Sequence, residues 1–246
     1  MSCSVRLRCN SAIGDGAAAR CRPMRKRWRR GDFNHRAAVL RGAVLTTRSL
    51  VRIVHIQISV KSWTENLPSV AAVRPSHCPA CGGASRPVGE SLGLHGHGLR
   101  SRLIEHSEGP GQRAQLTTVM VRRYLCQLSA AVVMSVPAAV LRAMRYSAST
   151  VALALGLWSH GGRSARAVRA SVSSAVVVGA TAASGWASLQ RWSRSSQQRF
   201  PKLPAWPPPA APRAAAACLV SALSALSVWP TGAVIFDACA GACRAH

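Results

Sequence analysis

The sequence predicts an α+β protein in which a small β-rich unit is followed by a helical region, behind a basic extension. Residues 76–137 contain Thr- and Val-rich runs separated by loops with glycine and proline, which is typical of short strands. Residues 138–199 repeat apolar side chains at helical spacing between serine and glycine boundaries. A β-rich unit and a separate helical unit together define the predicted class.

The first 75 residues differ from the rest in charge and pattern. Residues 20–30 form an arginine-rich tract, which favours a flexible arm or a phosphate-binding patch. Residues 54–60 alternate apolar and polar side chains as a half-buried strand does, but no partner strand is evident nearby. We therefore expect residues 1–75 to be a poorly ordered extension.

The β-rich unit, residues 76–137, is expected to contain a strand-pair region followed by two further strands, joined by polar loops. Their predicted positions are residues 92–104, with glycine interruptions, then residues 116–125 and residues 131–136. Pro137 ends the last strand because it offers no backbone N–H to a neighbouring strand.

Four helices are expected in residues 138–199. They lie at residues 138–145, at residues 147–160, after an N-cap at Ser164, and at residues 184–195. In the last helix three apolar side chains share one side: Trp186, Leu189 and Trp192. Arg191 and Arg194 then face the opposite side.

The remainder of the chain has two parts. Residues 200–213 are rich in proline and are interpreted as a linker. Residues 214–246 are interpreted as an alanine-rich helix with a tail. Residues 214–236 are uncharged and long enough to span a membrane, but a packed helix followed by a turn at Trp229-Pro230 is the favoured interpretation.

The charge balance indicates a polyanionic partner. The 246 residues carry a formal charge of +25, from 32 Lys and Arg against 7 Asp and Glu. Nearly all the cations are arginines, which suit bidentate contacts to phosphate and guanine. GC-rich coding is an alternative reason for arginine instead of lysine, but it does not explain the scarcity of acids.

That scarcity argues against several classes of enzyme. Between Glu108 and Asp237 the chain contains no acidic residue. Two-metal phosphoryl transfer and glycoside hydrolysis both need converging carboxylates, and no G-x-S-x-G elbow is present for a serine triad. We therefore expect a protein without a catalytic centre.

The strongest local motif is a pair of cysteines at residues 78 and 81. Cys78-Pro-Ala-Cys81 is followed by two glycines, a spacing at which one tight turn directs both thiolates to a tetrahedral zinc ion. Cys126 lies where a second such turn is expected, but Ser129 occupies the place of a fourth cysteine. A neighbouring histidine (His77, His95, His97 or His106), water, or nothing would complete the site. Two idle cysteines in a turn are the alternative.

Four runs carry a resemblance to a known family: CPACGGASRPVG, LGLHGHGLRSR, VRRYLC and RYSASTVALALGLWSHGGRSARAVRASV. They resemble zinc-ribbon plus helix-turn-helix proteins of bacterial insertion sequences, the DNA-recognition half of transposases, and their degenerate relatives. The likeness extends from about Cys78 to Trp192. Of the family's four ribbon cysteines, Cys78, Cys81 and Cys126 match and Ser129 departs.

The resemblance implies a zinc ribbon in residues 76–137 and a helix-turn-helix in residues 138–199. It implies that residues 184–195 read the major groove of DNA and that residues 164–172 support them. Arg163, Arg166 and Arg169 would neutralise phosphates. Arg191 and Arg194 would reach phosphate or guanine, and a solvated helix face is the alternative for all five. Zinc is the implied cofactor, DNA the partner, and the nucleoid in the bacterial cytoplasm the location.

Two other functions stay open at this stage. A membrane-associated basic protein would use residues 214–236 as its anchor. A translated frame without an evolved function would show no cooperative unfolding. A weaker group of metal-ligand types near residue 246 consists of Cys239, Cys243 and His246.

Overall fold

The computed structural model of the chain describes residues 51–107, 109–175, 185–204 and 210–246. The arginine-rich tract at residues 20–30 lies outside the described residues. The strands are β1 (Arg52–Ile56), β2 (Leu94–His106), β3 (Gln115–Cys126) and β4 (Val132–Pro137). The described helices are α1 (Val60–Glu65), α2 (Ala148–Ser159), α3 (Ala165–Val172), α4 (Ala187–Arg194), α5 (Ser196–Arg199), α6 (Pro212–Ser224) and α7 (Val234–Ala242).

The four strands form one mixed sheet in the order β1-β4-β3-β2. Strands β2, β3 and β4 are consecutive antiparallel neighbours, and β1 lies parallel to β4 from Arg52 opposite Val133 to Ile56 opposite Pro137. The predicted α+β class is confirmed. The structure differs from the prediction for residues 51–75, which belong to the fold instead of extending from it, because the partner of β1 is the distant strand β4.

The strand predicted at residues 54–60 is shorter in the structure, and its last predicted residue, Val60, begins helix α1. The Ser59 hydroxyl accepts a hydrogen bond from the Ser62 amide and so caps the first turn of the helix. The helix buries Val60 and Trp63, and the Trp63 indole donates to the Met120 carbonyl of β3 at 2.8 Å. The alternating pattern therefore ends as a strand at Ile56.

The strands predicted at residues 116–125 and 131–136 are present as β3 and β4, whereas the strand-pair region predicted at residues 92–104 is one long strand, β2. Strand β2 reaches His106 because a bulge between Gly96 and Leu99 absorbs the glycine-rich part. Gly98 has a φ of +79°, a conformation that side chains with a Cβ rarely adopt. The glycines therefore bend the strand without ending it.

Residues 138–145 form turns, so the helix predicted there is wrong. Ala143 has a φ of +53°, outside the helical region. The segment is held by β2 instead: the Glu105 amide donates to the Arg145 carbonyl at 2.6 Å, and the Ser147 amide donates to the Glu105 carbonyl at 2.9 Å. Backbone pairing at the sheet edge outweighs the helical propensity of the alanines.

Glu105 joins the sheet to the helical region through its side chain as well. It is fully buried, and its Oε1 accepts from the Arg145 guanidinium at 3.0 Å and from the Ser174 hydroxyl at 2.9 Å. Its Oε2 accepts from the Ser174 amide at 3.1 Å. A buried carboxylate with these partners is satisfied, and it connects β2 to the segment that follows α3.

Helix α2 is the centre of the helical region. It is buried over most of its circumference and packs against α3, α4, α6 and α7. The Ser147 hydroxyl caps α2, and Ser164 caps α3 as predicted. Trp186 and Trp192, flanking and within α4, contact each other and Tyr146 edge to face. These contacts anchor α4 to the helical core.

The last part of the chain adds two helices to that core. Helix α6 confirms the predicted alanine-rich helix, whereas α7 was not predicted. The part of residues 200–213 that the structure describes includes the buried side chains Phe200 and Leu203, so the segment is more than a linker there. In the described parts of the chain, none of the helices combines the length and the apolarity that crossing a membrane requires.

Asp237 caps the loop that leads into α7 and makes its stability depend on pH. The amide of Thr231 donates to its carboxylate at 2.8 Å, the Thr231 hydroxyl at 2.9 Å and the Gly232 amide at 3.1 Å. The Thr231 amide, opposed by burial and assisted by the other two donors, lowers the pKa of Asp237. Because the pKa is lower in the folded state, the ionised carboxylate stabilises the fold at pH values above its unfolded pKa of about 3.9. This stabilisation is lost as the pH falls through the folded pKa.

We therefore expect acid to destabilise wild type more than Asp237→Asn. Both proteins would be unfolded with urea at pH 7 and at several pH values below about 4. The difference in free energy of unfolding between them should be largest at pH 7 and should shrink as Asp237 is protonated. A constant difference across this range would show that the carboxylate charge does not stabilise the loop.

Candidate metal centre and nucleic-acid interface

The first cysteine turn is closed by two backbone hydrogen bonds. The Cys78 amide donates to the Gly83 carbonyl, and the Gly82 amide donates to the Cys78 carbonyl, both at 2.8 Å. Gly82 has a φ of +74°, which explains why glycine follows Cys81. The Ala80 amide also points at the Cys78 sulfur at 3.4 Å. The turn therefore presents both sulfurs on one side.

A second turn, after β3, repeats this arrangement. The Cys126 amide donates to the Ala131 carbonyl and the Ala130 amide donates to the Cys126 carbonyl, both at 3.0 Å. Ala130 has a φ of +53° and takes the place that Gly82 has in the first turn. By the same correspondence, Ser129 takes the place of Cys81.

The two turns bring the three predicted cysteines together. The Sγ atoms of Cys78, Cys81 and Cys126 all lie within 4.8 Å of one another, and those of Cys81 and Cys126 are 3.7 Å apart. The Ser129 hydroxyl is 3.6 Å from the Cys78 sulfur, so it lies at the fourth corner of the group. Three thiols in this arrangement could bind one metal ion.

None of the four histidines suggested as a fourth ligand joins this group in the described residues. The His77 ring contacts the Ser76 hydroxyl at 3.1 Å, and the His106 ring contacts the Ser147 hydroxyl at 3.1 Å. His95 and His97 lie on β2, opposite the end of β3 and at the bulge. Ser129 is the residue that the fold places at the fourth corner of the group.

The weaker candidate group near residue 246 does not converge in the described structure. The Cys243 sulfur lies 3.8 Å from the Cys239 carbonyl, one helical turn away, and His246 stacks on the ring of His55 with centroids 4.5 Å apart. Burial raises the pKa of Cys239 to about 12 and that of Cys243 to about 11. Thiols that stay protonated are poor metal ligands, so these side chains belong to the core.

The cluster of Cys78, Cys81 and Cys126 differs from these buried thiols in its pKa values. Burial acts to raise the pKa of Cys126, but hydrogen bonds from Ser129, from Cys78 and from the Leu128 amide outweigh it and lower the pKa to about 7. The Gly83 amide and the Ser129 hydroxyl act to lower the pKa of Cys81, yet desolvation and the two neighbouring cysteines raise it on balance. One thiolate therefore forms readily, and a cation would favour the others.

The packing behind the thiols fixes the distance between the two turns. Cys78 and Cys126 are buried with Leu94, Tyr124 and Val133 in a small apolar cluster. A Cβ at Gly83 would lie 2.6 Å from the Leu128 side chain, so the absence of a side chain lets the turns approach. The sheet and this cluster therefore hold the cysteines in place.

Ala130 gives a direct test of the second turn. At a positive φ, an alanine is less stable than a glycine by about 1 kcal/mol, because its Cβ is crowded by the backbone. We expect Ala130→Gly to raise the free energy of unfolding by about that amount in a urea titration, whereas Ala240→Gly, at an exposed site within α7, should lower it. Destabilisation by Ala130→Gly would contradict the conformation of this turn.

The arginines predicted to contact DNA occupy two helices and the residues preceding one of them. Arg163 and Arg166 are exposed, and Arg169 is partly buried with an Nε atom that has no hydrogen-bond partner among the described residues. Arg191 and Arg194 are exposed on α4, opposite the buried side chains of Leu189 and Trp192. The predicted amphipathic character of α4 is confirmed.

The described helices α2, α3 and α4 follow one another along the chain through connections of different length. Helices α2 and α3 are joined by a short segment that contains Gly161 and Gly162. Helices α3 and α4, the predicted support and reading helices, are separated by a longer segment whose residues 176–184 lie outside the described structure. Helix α4 packs against α2 and α6.

Two further arginines contact Met144 and were not singled out from the sequence. The Arg199 guanidinium contacts the Met144 sulfur and the Ser195 hydroxyl, and burial followed by the charge of Arg191 lowers its pKa. Arg102 donates to the carbonyl of Met144 at 3.3 Å. Met144 therefore contacts one arginine from β2 and one from α5. No local sequence pattern indicates these contacts.

No protein-family model, curated protein or solved structure matches the chain. Its function is therefore inferred from the geometry and charge of its own side chains.

Proposed function

We propose that the chain is a DNA-binding protein in which a zinc-ribbon-like platform supports a helical unit that lies on the duplex. Within the unit, α4 takes the role of the reading helix and α3 that of its support. The observation that carries the proposal is the unneutralised charge of these helices. Among the described residues a single ion pair forms, between Arg145 and Glu105, and it leaves the exposed arginines of α3 and α4 without acidic partners.

Several unpaired guanidinium groups on a rigid surface favour a polyanion as ligand. DNA phosphates release condensed counterions when arginines replace them, which supplies affinity without sequence recognition. A helix with one face anchored in a core and the other exposed fits the dimensions of the major groove. Helix α4 meets these requirements, because Trp192 holds it and Arg191 and Arg194 face outward.

The thiol group supports the platform half of the proposal. Zinc accepts three or four thiolates in tetrahedral geometry, and Cys78, Cys81 and Cys126 provide three on two matching turns. A zinc ion here would tie the segment before β2 to the end of β3. We assign it a structural role in this proposal, with no catalytic centre in the chain.

The test of this function is a paired charge removal on α4. We expect Arg191→Ala/Arg194→Ala to lower the affinity for a 20–30 base-pair duplex by about tenfold at low salt and to reduce the slope of log K against log salt by about 2. The matched control is Arg86→Ala/Arg244→Ala, which removes the same charge from exposed sites outside α3 and α4. Binding would be measured by fluorescence anisotropy.

Equal losses in the two double variants would contradict a specific role for α4 and would indicate attraction by net charge alone. No loss in either variant, with folding intact by circular dichroism, would contradict the proposed interface entirely.

A further inference from the structure

The metal group, formed by Cys78, Cys81, Cys126 and Ser129, has a sulfur atom at three corners and a hydroxyl at the fourth. The backbone bonds that close the turns at Cys78 and Cys126 match one to one, and this match assigns Ser129 to the position of Cys81. The Ser129 hydroxyl lies 3.6 Å from the Cys78 sulfur. A neutral hydroxyl is a weak ligand for a thiophilic metal, so Ser129 does not provide the fourth bond that such an ion requires.

The corner at Ser129 also faces the solvent. Cys78 and Cys126 are buried, whereas Cys81 and Ser129 are exposed and Leu128 beside them is 75% exposed. No histidine, aspartate or glutamate of the described residues joins the three sulfurs. A metal ion bound there would be shielded by protein on the cysteine side and open to small molecules on the serine side.

We propose that this site holds its metal with one exchangeable coordination position, which accepts an external thiolate in place of water. This inference rests on the proposed metal-bound platform. An incoming thiol gives its proton to the buffer, its sulfur binds the metal, and the bound water leaves, with no change of oxidation state. Thiolate is the favoured class of ligand for two reasons. The three cysteine ligands select a thiophilic metal ion, and the chain's formal charge of +25 attracts anions.

Co²⁺ in place of zinc makes the exchange visible, because thiolate-to-metal absorption grows with the number of sulfur ligands. The full chain would be loaded with Co²⁺ and titrated with 2-mercaptoethanol, alongside Ser129→Cys and Ser129→Ala. In wild type we expect the thiolate absorption to rise by about one third and to saturate, as three sulfurs become four. Ser129→Ala should behave like wild type. Ser129→Cys should begin at the higher absorption and should not respond.

The outcomes separate this inference from the function on which it depends. Wild-type bands that do not respond to thiol, while Ser129→Ala responds, would show that Ser129 closes the site and would overturn the inference. Bands that respond in neither protein would overturn it too. Absence of any cobalt bands would contradict the metal-bound platform as well. DNA binding is measured by anisotropy on the same samples, so its outcome is independent of the cobalt spectra.

Discussion

Glu105→Ala is expected to lower the free energy of unfolding by about 3–5 kcal/mol, a large part of the stability of a typical domain. The substitution removes a fully buried carboxylate and its bonds to Arg145 and Ser174. The Ser174 amide then loses its acceptor and a cavity replaces the side chain. Urea unfolding followed by circular dichroism measures the effect.

An exposed acid provides the control for this prediction. Glu90→Ala removes the same charge from the surface and should change stability by less than about 0.5 kcal/mol. A double-mutant cycle with Arg145→Ala should give a coupling energy above about 0.5 kcal/mol, since the two side chains form one bonded pair. A loss for Glu105→Ala no larger than that for Glu90→Ala would contradict the role of Glu105 in joining sheet and helices.

Cys126→Ala is expected to abolish stoichiometric metal binding and the stability that the metal contributes. With free zinc about 1000-fold above its dissociation constant, that contribution is about 4 kcal/mol. Cys126 is buried and belongs to the second turn, so its loss leaves the two sulfurs of the first turn as ligands. Metal content by elemental analysis and unfolding with and without a chelator measure both effects.

Cys218→Ala is the matched control, because Cys218 is an exposed thiol of α6 outside the metal group. Its metal content and its response to chelator should equal those of wild type. If the chelator changed neither wild type nor Cys218→Ala, the three sulfurs would be a packed thiol cluster and not a metal centre.

The metal group is the part of the molecule that the sequence predicts best. The spacing of Cys78 and Cys81 encodes a local turn, and the strand pattern before Cys126 indicates a second turn at the end of a hairpin. The position of Ser129 follows from the same spacing. Local turn geometry decides all of these positions, so they could be derived without knowledge of distant contacts.

The missed features depend instead on contacts between distant segments. Strand β1 needs β4 as its partner, and α1 needs β3 to cover Trp63. The alanine-rich segment at residues 138–145 has helical propensity, yet the Glu105 amide at the sheet edge donates a hydrogen bond to the Arg145 carbonyl. Periodicity describes single elements, and it carries no information on which remote backbone an element pairs with.

Helix faces were predicted well and their partners were not. The spacing of Leu189 and Trp192 indicates which side of α4 is buried, but not that α2 and α6 cover it. Asp237 likewise stands in the sequence as an isolated acid, and its bonds to the loop before α7 could not be foreseen.

The central claim, that the chain binds DNA through its arginines, is tested most directly by measuring the affinity of the purified protein for a duplex at several salt concentrations. We predict that log K falls linearly with log salt, with a slope of about −0.9 for each phosphate neutralised and several phosphates contacted. Retention of the protein on the duplex at low salt and release near 0.5 M salt would fit this account. A folded protein that fails to bind at about 50 mM salt would contradict it.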